Sequence, residues 1–138
     1  MRRLPGSADL HNDIARLLLR LMTGGLMLFH GISKLGDGAA LSWIGRQLSD
    51  LGLPSILSYG VYVGELVAPL MVLAGVFCRI GGVLMAVNML FAVLLAHRGE
   101  FLALTENGGY ALELQALFFL SAVAIALLGS GRFAVKAD

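Results

Sequence analysis

The apolar positions of this chain fall into four long runs, near Ile14 to Ser33, Ile56 to Phe77, Ile80 to Ala96 and Tyr110 to Leu128. About 20 mainly apolar residues cross roughly 30 Å of hydrocarbon as a helix, so the pattern predicts an all-α integral membrane protein, a bundle of four transmembrane helices. The third run is the shortest. CRIGG separates it from the second, and Arg79 with two glycines is enough for a tight turn. The polar stretch HRGEFLALTENGG precedes the fourth run. Between the first and second, DGAALSWIGRQLSDLGLP places Leu41, Ile44, Leu48 and Leu51 on one helical stripe opposite Arg46, Ser49 and Asp50. That spacing predicts an amphipathic helix lying in the membrane interface, with Trp43 near the headgroups. One domain results: a polar cytoplasmic N-terminal segment over 1–13, the membrane bundle over 14–128 and a cytoplasmic tail over 129–138.

Helical periodicity also sorts the faces. Advancing 100° per residue, Arg20, Gly24, Met27, Gly31 and Lys34 share one arc of the first helix, with Thr23 and His30 at its margin, while Met22, Leu26, Phe29 and Ile32 lie opposite. The first set reads as the bundle side and the second as the lipid side, because small and polar residues mark helix contacts where no hydrophobic drive exists between helices. On the second helix Glu65 shares its arc with Ser58, Val61, Tyr62, Ala68 and Pro69, and Gly60 with Gly64 forms a small-xxx-small pair. Pro69 cannot donate to the carbonyl of Glu65, so a kink is expected just past that residue.

Composition strengthens the membrane assignment: 58% of residues are hydrophobic and only 14% charged, with a mean hydropathy of +0.84, against roughly 25% charged in soluble domains. A net charge of +1 provides no field for nucleic acid. The single cysteine, Cys78, can form neither an internal disulfide nor a dithiol couple. The long polar start and the lack of an A-x-A site argue against a removable signal peptide. Arg2, Arg3, Arg16, Arg20, Arg79, Arg132 and Lys136 fall on the side of the termini, and Lys34, Arg46 and Arg98 on the other. The positive-inside rule therefore places both termini in the cytoplasm of a multi-pass protein of the cell (inner) membrane.

The candidate chemistry is ionic groups in the outer half of the bundle. Glu65 lies roughly 13 Å below the outer surface at 1.5 Å rise per residue, so it must be protonated, paired or wet. Lys34 is the natural partner, with His30 beside it, and Glu113 enters from the start of the fourth helix, next to Tyr110. These five residues form the predicted polar pocket; Asn88, His97 and Arg20 are secondary, and Arg20 reads as a snorkel or helix clamp. His30, His97, Glu65 and Glu113 suit a metal by ligand type, but no H-x3-H or E-x2-H pair puts two ligands on one face, and His97 sits half a turn from the Asn88 face, so no metal is assigned. Paired haem ligation is equally unsupported. Gln115 points away from Glu113 and reads as an interhelical hydrogen-bond donor. No Rossmann fingerprint, P-loop or nucleophile elbow is present in the sequence.

The order R-x3-G (Arg20, Gly24), HG-x2-KL (His30, Gly31, Lys34, Leu35), Pro54, E-x9-G-x3-R (Glu65, Gly75, Arg79), Asn88, His97, Glu113 and the closing GSGRFAVKAD resembles the DoxX family of small four-helix membrane proteins, from Arg16 onward. The ending departs from the GPGR-like turn more usual in that family. The resemblance implies the four-helix membrane fold and an association with membrane redox chemistry, as in a thiosulfate-oxidising quinone oxidoreductase and in oxidative-stress complexes with soluble enzymes. Two readings follow. In one, the chain is an accessory subunit of a quinone-linked redox system, with Glu65 or His30 taking protons from a quinol, Lys34 keeping the carboxylate charged and Tyr110 bonding a quinone oxygen. In the other it is a non-catalytic binding or assembly module that holds a lipid-like ligand or docks a partner, and the Lys34–Glu65 pair only sets helix register. Lipids are partners under both; redox partner proteins enter under the first, and oligomerisation is left open.

Overall fold

A computed structural model of the chain describes residues 6–138. Among the described residues five helices follow one another: α1 (Ser7–Leu35), α2 (Gly38–Asp50), α3 (Ser55–Ala74), α4 (Cys78–Ala96) and α5 (Glu113–Leu128). Arg2 and Arg3, counted above for orientation, lie outside the described residues. α1, α3 and α4 are long and apolar enough to cross a membrane; α5, also apolar, has 16 residues. Two expected boundaries move. The first helix begins at Ser7 rather than Ile14, because the Asp9 carboxylate accepts the Gly6 N–H at 3.1 Å and caps the first turn. The last helix begins at Glu113 rather than Tyr110, since Leu104 and Tyr110 pair in a small bridge that holds residues 103–111 in a turn.

α1, α3, α4 and α5 form a closed ring in which α1 packs on α3 and α5, and α4 packs on α3 and α5. Met27, Val72, Met85, Phe118, Ala122 and Ile125 fill the centre, while Leu18, Phe29 and Leu120 stand 61%, 70% and 62% exposed on the outside. So large an apolar exterior is what lipid requires and what water penalises. Glycines let the backbones approach: a Cβ on Gly31 would stand 2.2 Å from the Glu65 carbonyl oxygen, and one on Gly64 would stand 2.3 Å from Asn88 Cβ. Gly60, the other half of the expected pair, is exposed and faces nothing within 4 Å, so only Gly64 serves the contact. In place of a simple kink, α3 widens into a π-turn over Val63–Val67, which ends two residues before Pro69. A π-turn absorbs the carbonyl that proline leaves without an N–H, and such turns concentrate at functional sites.

α2 lies against the start of α3 with Gly45 and Leu48 buried, beginning on an Asp37 cap whose carboxylate accepts the Ala40 N–H at 3.1 Å. At the opposite end, Gly75 turns the chain at φ +75° and the tail folds back over that turn, where Val135 and Lys136 donate to the carbonyls of Ala74 and Gly75. Arg20, 1% exposed, is a clamp rather than a snorkel. Its guanidinium donates to the Val72 and Leu73 carbonyls at 2.8 and 3.0 Å and to the Ser130 and Phe133 carbonyls at 2.9 and 2.6 Å. The free carbonyls at the negative end of α3 thus share one cation with the tail.

Asp138 closes the same latch, accepting the Arg79 N–H and the Ser130 N–H, each at 3.0 Å. Burial pushes its carboxyl up, but the hydrogen bonds from Arg79 and Ser130, with the Arg79 charge, outweigh that and hold it below the usual carboxylate range. The latch therefore gains stability above the unfolded value of about 3.9 and loses it as pH falls through the lower folded value. Hydrogen-exchange protection of the Arg79 and Ser130 amides is expected to be flat above about pH 5 and to collapse only below about pH 4; protection that does not vary with pH would remove Asp138 from the latch.

Candidate functional site

At the α2 end the ring opens into a cavity of about 640 Å³ with walls from all five helices. Its lining is mainly apolar, with Met27, Trp43, Phe91 and Phe118 among the larger side chains, and its polar groups gather in two places. The first is built on the π-turn. Glu65, 4% exposed, points from α3 into the bundle. One carboxylate oxygen receives Lys34 Nζ from α1 at 2.5 Å, and the other receives Asn88 Nδ2 from α4 at 3.1 Å. Three helices are thereby joined at a single carboxylate. Gly31 makes the geometry available, because the missing side chain lets α1 sit directly on the Glu65 backbone one turn before Lys34. Tyr62 donates to the Lys34 carbonyl at 3.1 Å and satisfies the last turn of α1.

A carboxylate at this depth without a partner would cost several kcal/mol; here both its oxygens are occupied. Lys34 is not spent by the contact. An ammonium has three donors, one is on Glu65, and the side chain is 24% exposed and lines the cavity. Donors therefore remain for an acceptor inside it. His30, on the same wall, sets its ring edge-on to Phe118 with centroids 5.6 Å apart.

The second polar group lies between the end of α4 and the start of α5. His97 Nδ1 lies 3.1 Å from Glu100 and Nε2 lies 3.3 Å from Gln115 Nε2. Counting turns from Asn88 sets His97 on the far side of α4, but the helix ends at Ala96 and His97 leaves it at φ −130°, so its side chain reaches the same cavity. Gln115 lines the cavity with it and is the residue that sequence reasoning passed over as a plain helix contact.

Two expected members are elsewhere. Tyr110 is 36% exposed and gives its hydroxyl to the Phe101 carbonyl at 2.7 Å. Glu113 is exposed and faces Gly109 in the loop. Both are absent from the cavity wall because the turn over residues 103–111 delays the start of the helix to Glu113 and holds Tyr110 in the loop, so that Leu114 and Gln115 take the cavity face instead. Arg20 belongs to the tail latch at the far end. Among the described residues no three His, Cys, Asp or Glu side chains gather in a metal-binding arrangement.

The cavity is large enough for an apolar molecule with a hydrogen-bonding head, and its polar lining offers that head a cation, a carboxylate and an imidazole. The DoxX family profile matches residues 15–98 of the chain. A Bacillus subtilis (strain 168) protein named "Putative oxidoreductase CatD" is 35% identical over 83 residues, 59% of this chain and 59% of that protein, so the match covers under two thirds of the relative's length. No solved structure matches the chain. The match from α1 to the end of α4 includes Lys34, Glu65 and Asn88, and the chain belongs to the DoxX family.

Proposed function

We propose that this DoxX-family membrane protein is an accessory subunit of a quinone-linked redox system and that the α2-end cavity receives the quinone ring. The observation that supports it is the Lys34–Glu65–Asn88 junction on a mainly apolar cavity wall, with ammonium donors left over. Interconversion of quinone and hydroquinone moves two electrons and two protons. The electrons pass to or from the redox centre of a partner oxidoreductase, a role the chain does not fill with its single cysteine. Lys34 Nζ donates to the ring oxygen, and Glu65 and His30 exchange the protons. The name of the CatD relative accords with this reading.

In this reading all four ring helices span the cell membrane, α2 lies in the outer interface, and both termini are cytoplasmic by the distribution of Lys and Arg. The second reading, a non-catalytic module holding a lipid-like ligand, is favoured by the mostly apolar lining and differs in one result. Trp43 is the chain's single tryptophan and lines the cavity, so a short-chain ubiquinone should quench its fluorescence saturably in nanodiscs. Glu65→Gln and Lys34→Met should each weaken that binding by about tenfold or more, as loss of a charged hydrogen-bond partner does. Saturable quenching that is identical in all three proteins would favour the lipid-holding reading, and absence of saturable quenching would overturn the quinone site.

A further inference from the structure

Outside the cavity, on the other side of α2, the chain forms a groove of about 520 Å³ that the redox reading does not use. Ser42, Arg46 and Ser49 stand at i, i+4 and i+7 on α2 and so form a single stripe. They face Ser55 and Tyr59 at the start of α3, where Gly45 brings the two segments together: its Cβ would lie 3.5 Å from that of Ser55. Among the described residues no carboxylate lies within 4.0 Å of the Arg46 guanidinium, Asp50 one turn on included. The groove thus gathers one cation and the hydroxyls of Ser42, Ser49, Ser55, Ser58 and Tyr59 beside the apolar Leu41 and Ile56, a lining that suits an anion with several acceptor oxygens and an apolar part.

Its depth identifies the source of that anion. Ser55 is the first residue of a helix long and apolar enough to cross a membrane, so the groove sits at the level of the headgroups. Ile56 and Tyr59, 70% and 59% exposed, extend from its rim along the outside of α3 and give acyl chains a surface to follow. We infer that the Ser42–Arg46–Ser49 stripe and Ser55 bind the phosphate of an anionic glycerophospholipid. A phosphate offers the planar guanidinium two oxygens at once and leaves others for the serines. Such a lipid would hold α2 against α3 and so fix the outer wall of the neighbouring cavity, to which Ser58 also contributes.

Native mass spectrometry of the delipidated full chain with added phosphatidylglycerol tests this. Wild type should retain one phosphatidylglycerol that Arg46→Gln retains about fivefold less, which is what one arginine contributes near an anionic surface. Ser42→Ala/Ser49→Ala should lower retention with Arg46 intact, so a folding defect confined to one variant does not decide the matter. Diacylglycerol with the same acyl chains should not be retained. Equal retention by wild type and both variants, retention of diacylglycerol as strong as that of phosphatidylglycerol, or displacement of the lipid by millimolar inorganic phosphate would each overturn the proposal.

Discussion

Lys34→Met should lower the melting temperature of the detergent-solubilised protein by roughly 10 °C, corresponding to about 3 kcal/mol. The substitution keeps most of the lysine's apolar stem and removes only the ammonium that Glu65 holds at 2.5 Å. Glu65 is 4% exposed, so its carboxylate would be left in the bundle with a single neutral donor, Asn88 Nδ2. Breaking a buried pair from one side costs about 3–5 kcal/mol, because the surviving charge has no compensation. The lower end applies, since the Lys34 side chain is 24% exposed and partly screened. Adding Glu65→Gln to Lys34→Met should restore most of the loss: the amide occupies the same volume, still accepts from Asn88 and carries no charge. A Lys34→Met protein that melts like wild type would show that Glu65 does not depend on the pair.

The second large effect is expected at Gly31. A methyl group there would lie 2.2 Å from the carbonyl oxygen of Glu65 and 2.6 Å from its carbonyl carbon, and these backbone atoms cannot turn aside as a flexible side chain would. Gly31→Ala must therefore push α1 away from α3. Overpacking of this kind costs about 1–3 kcal/mol, and the upper part of that range is expected because the displacement also stretches the Lys34–Glu65 contact one turn further on. Gly25→Ala is the control. It lies in the same helix with nothing within 4 Å of the added carbon, so relief of glycine's helix penalty should leave it as stable as wild type or more stable by up to about 1 kcal/mol. Thermal melts of the two variants that coincide would contradict the close backbone approach.

These two sites also show what could be read from the residues in order. The buried arc of α1, with Arg20, Thr23, Gly24, Met27 and Gly31 inside, follows directly from helical periodicity, since the ends of a long regular helix keep a fixed angular relation. The amphipathic stripe of α2 is legible on the same ground, and Leu48 is buried as that stripe implies. The meeting of Lys34 and Glu65 could be anticipated from depth, because a carboxylate in hydrocarbon leaves few alternatives to a cation. Angular reasoning stops where the helix stops. His97 lies one residue past the end of α4 and turns back into the cavity, while Tyr110 and Glu113 precede or open α5 and are directed away from it by a turn made of backbone hydrogen bonds. The tail latch left no periodic trace either: Arg20 binds four carbonyls, and every residue has a carbonyl. The π-turn at Val63–Val67 is an intermediate case. Pro69 announces a disturbed helix and leaves its form undetermined, whether kink or widened turn.

The junction of three helices on one carboxylate has value beyond register if the cavity beside it is occupied in the cell. Mass spectrometry of organic extracts from the purified protein tests this most directly, with wild type and Glu65→Gln prepared in parallel from the same membranes. Wild type is expected to carry a quinone well above the level found in an unrelated membrane protein purified identically, and Glu65→Gln to carry only that background. Quinone at background in wild type, or equal enrichment in both proteins, would contradict the claim that this carboxylate and its lysine hold the ring.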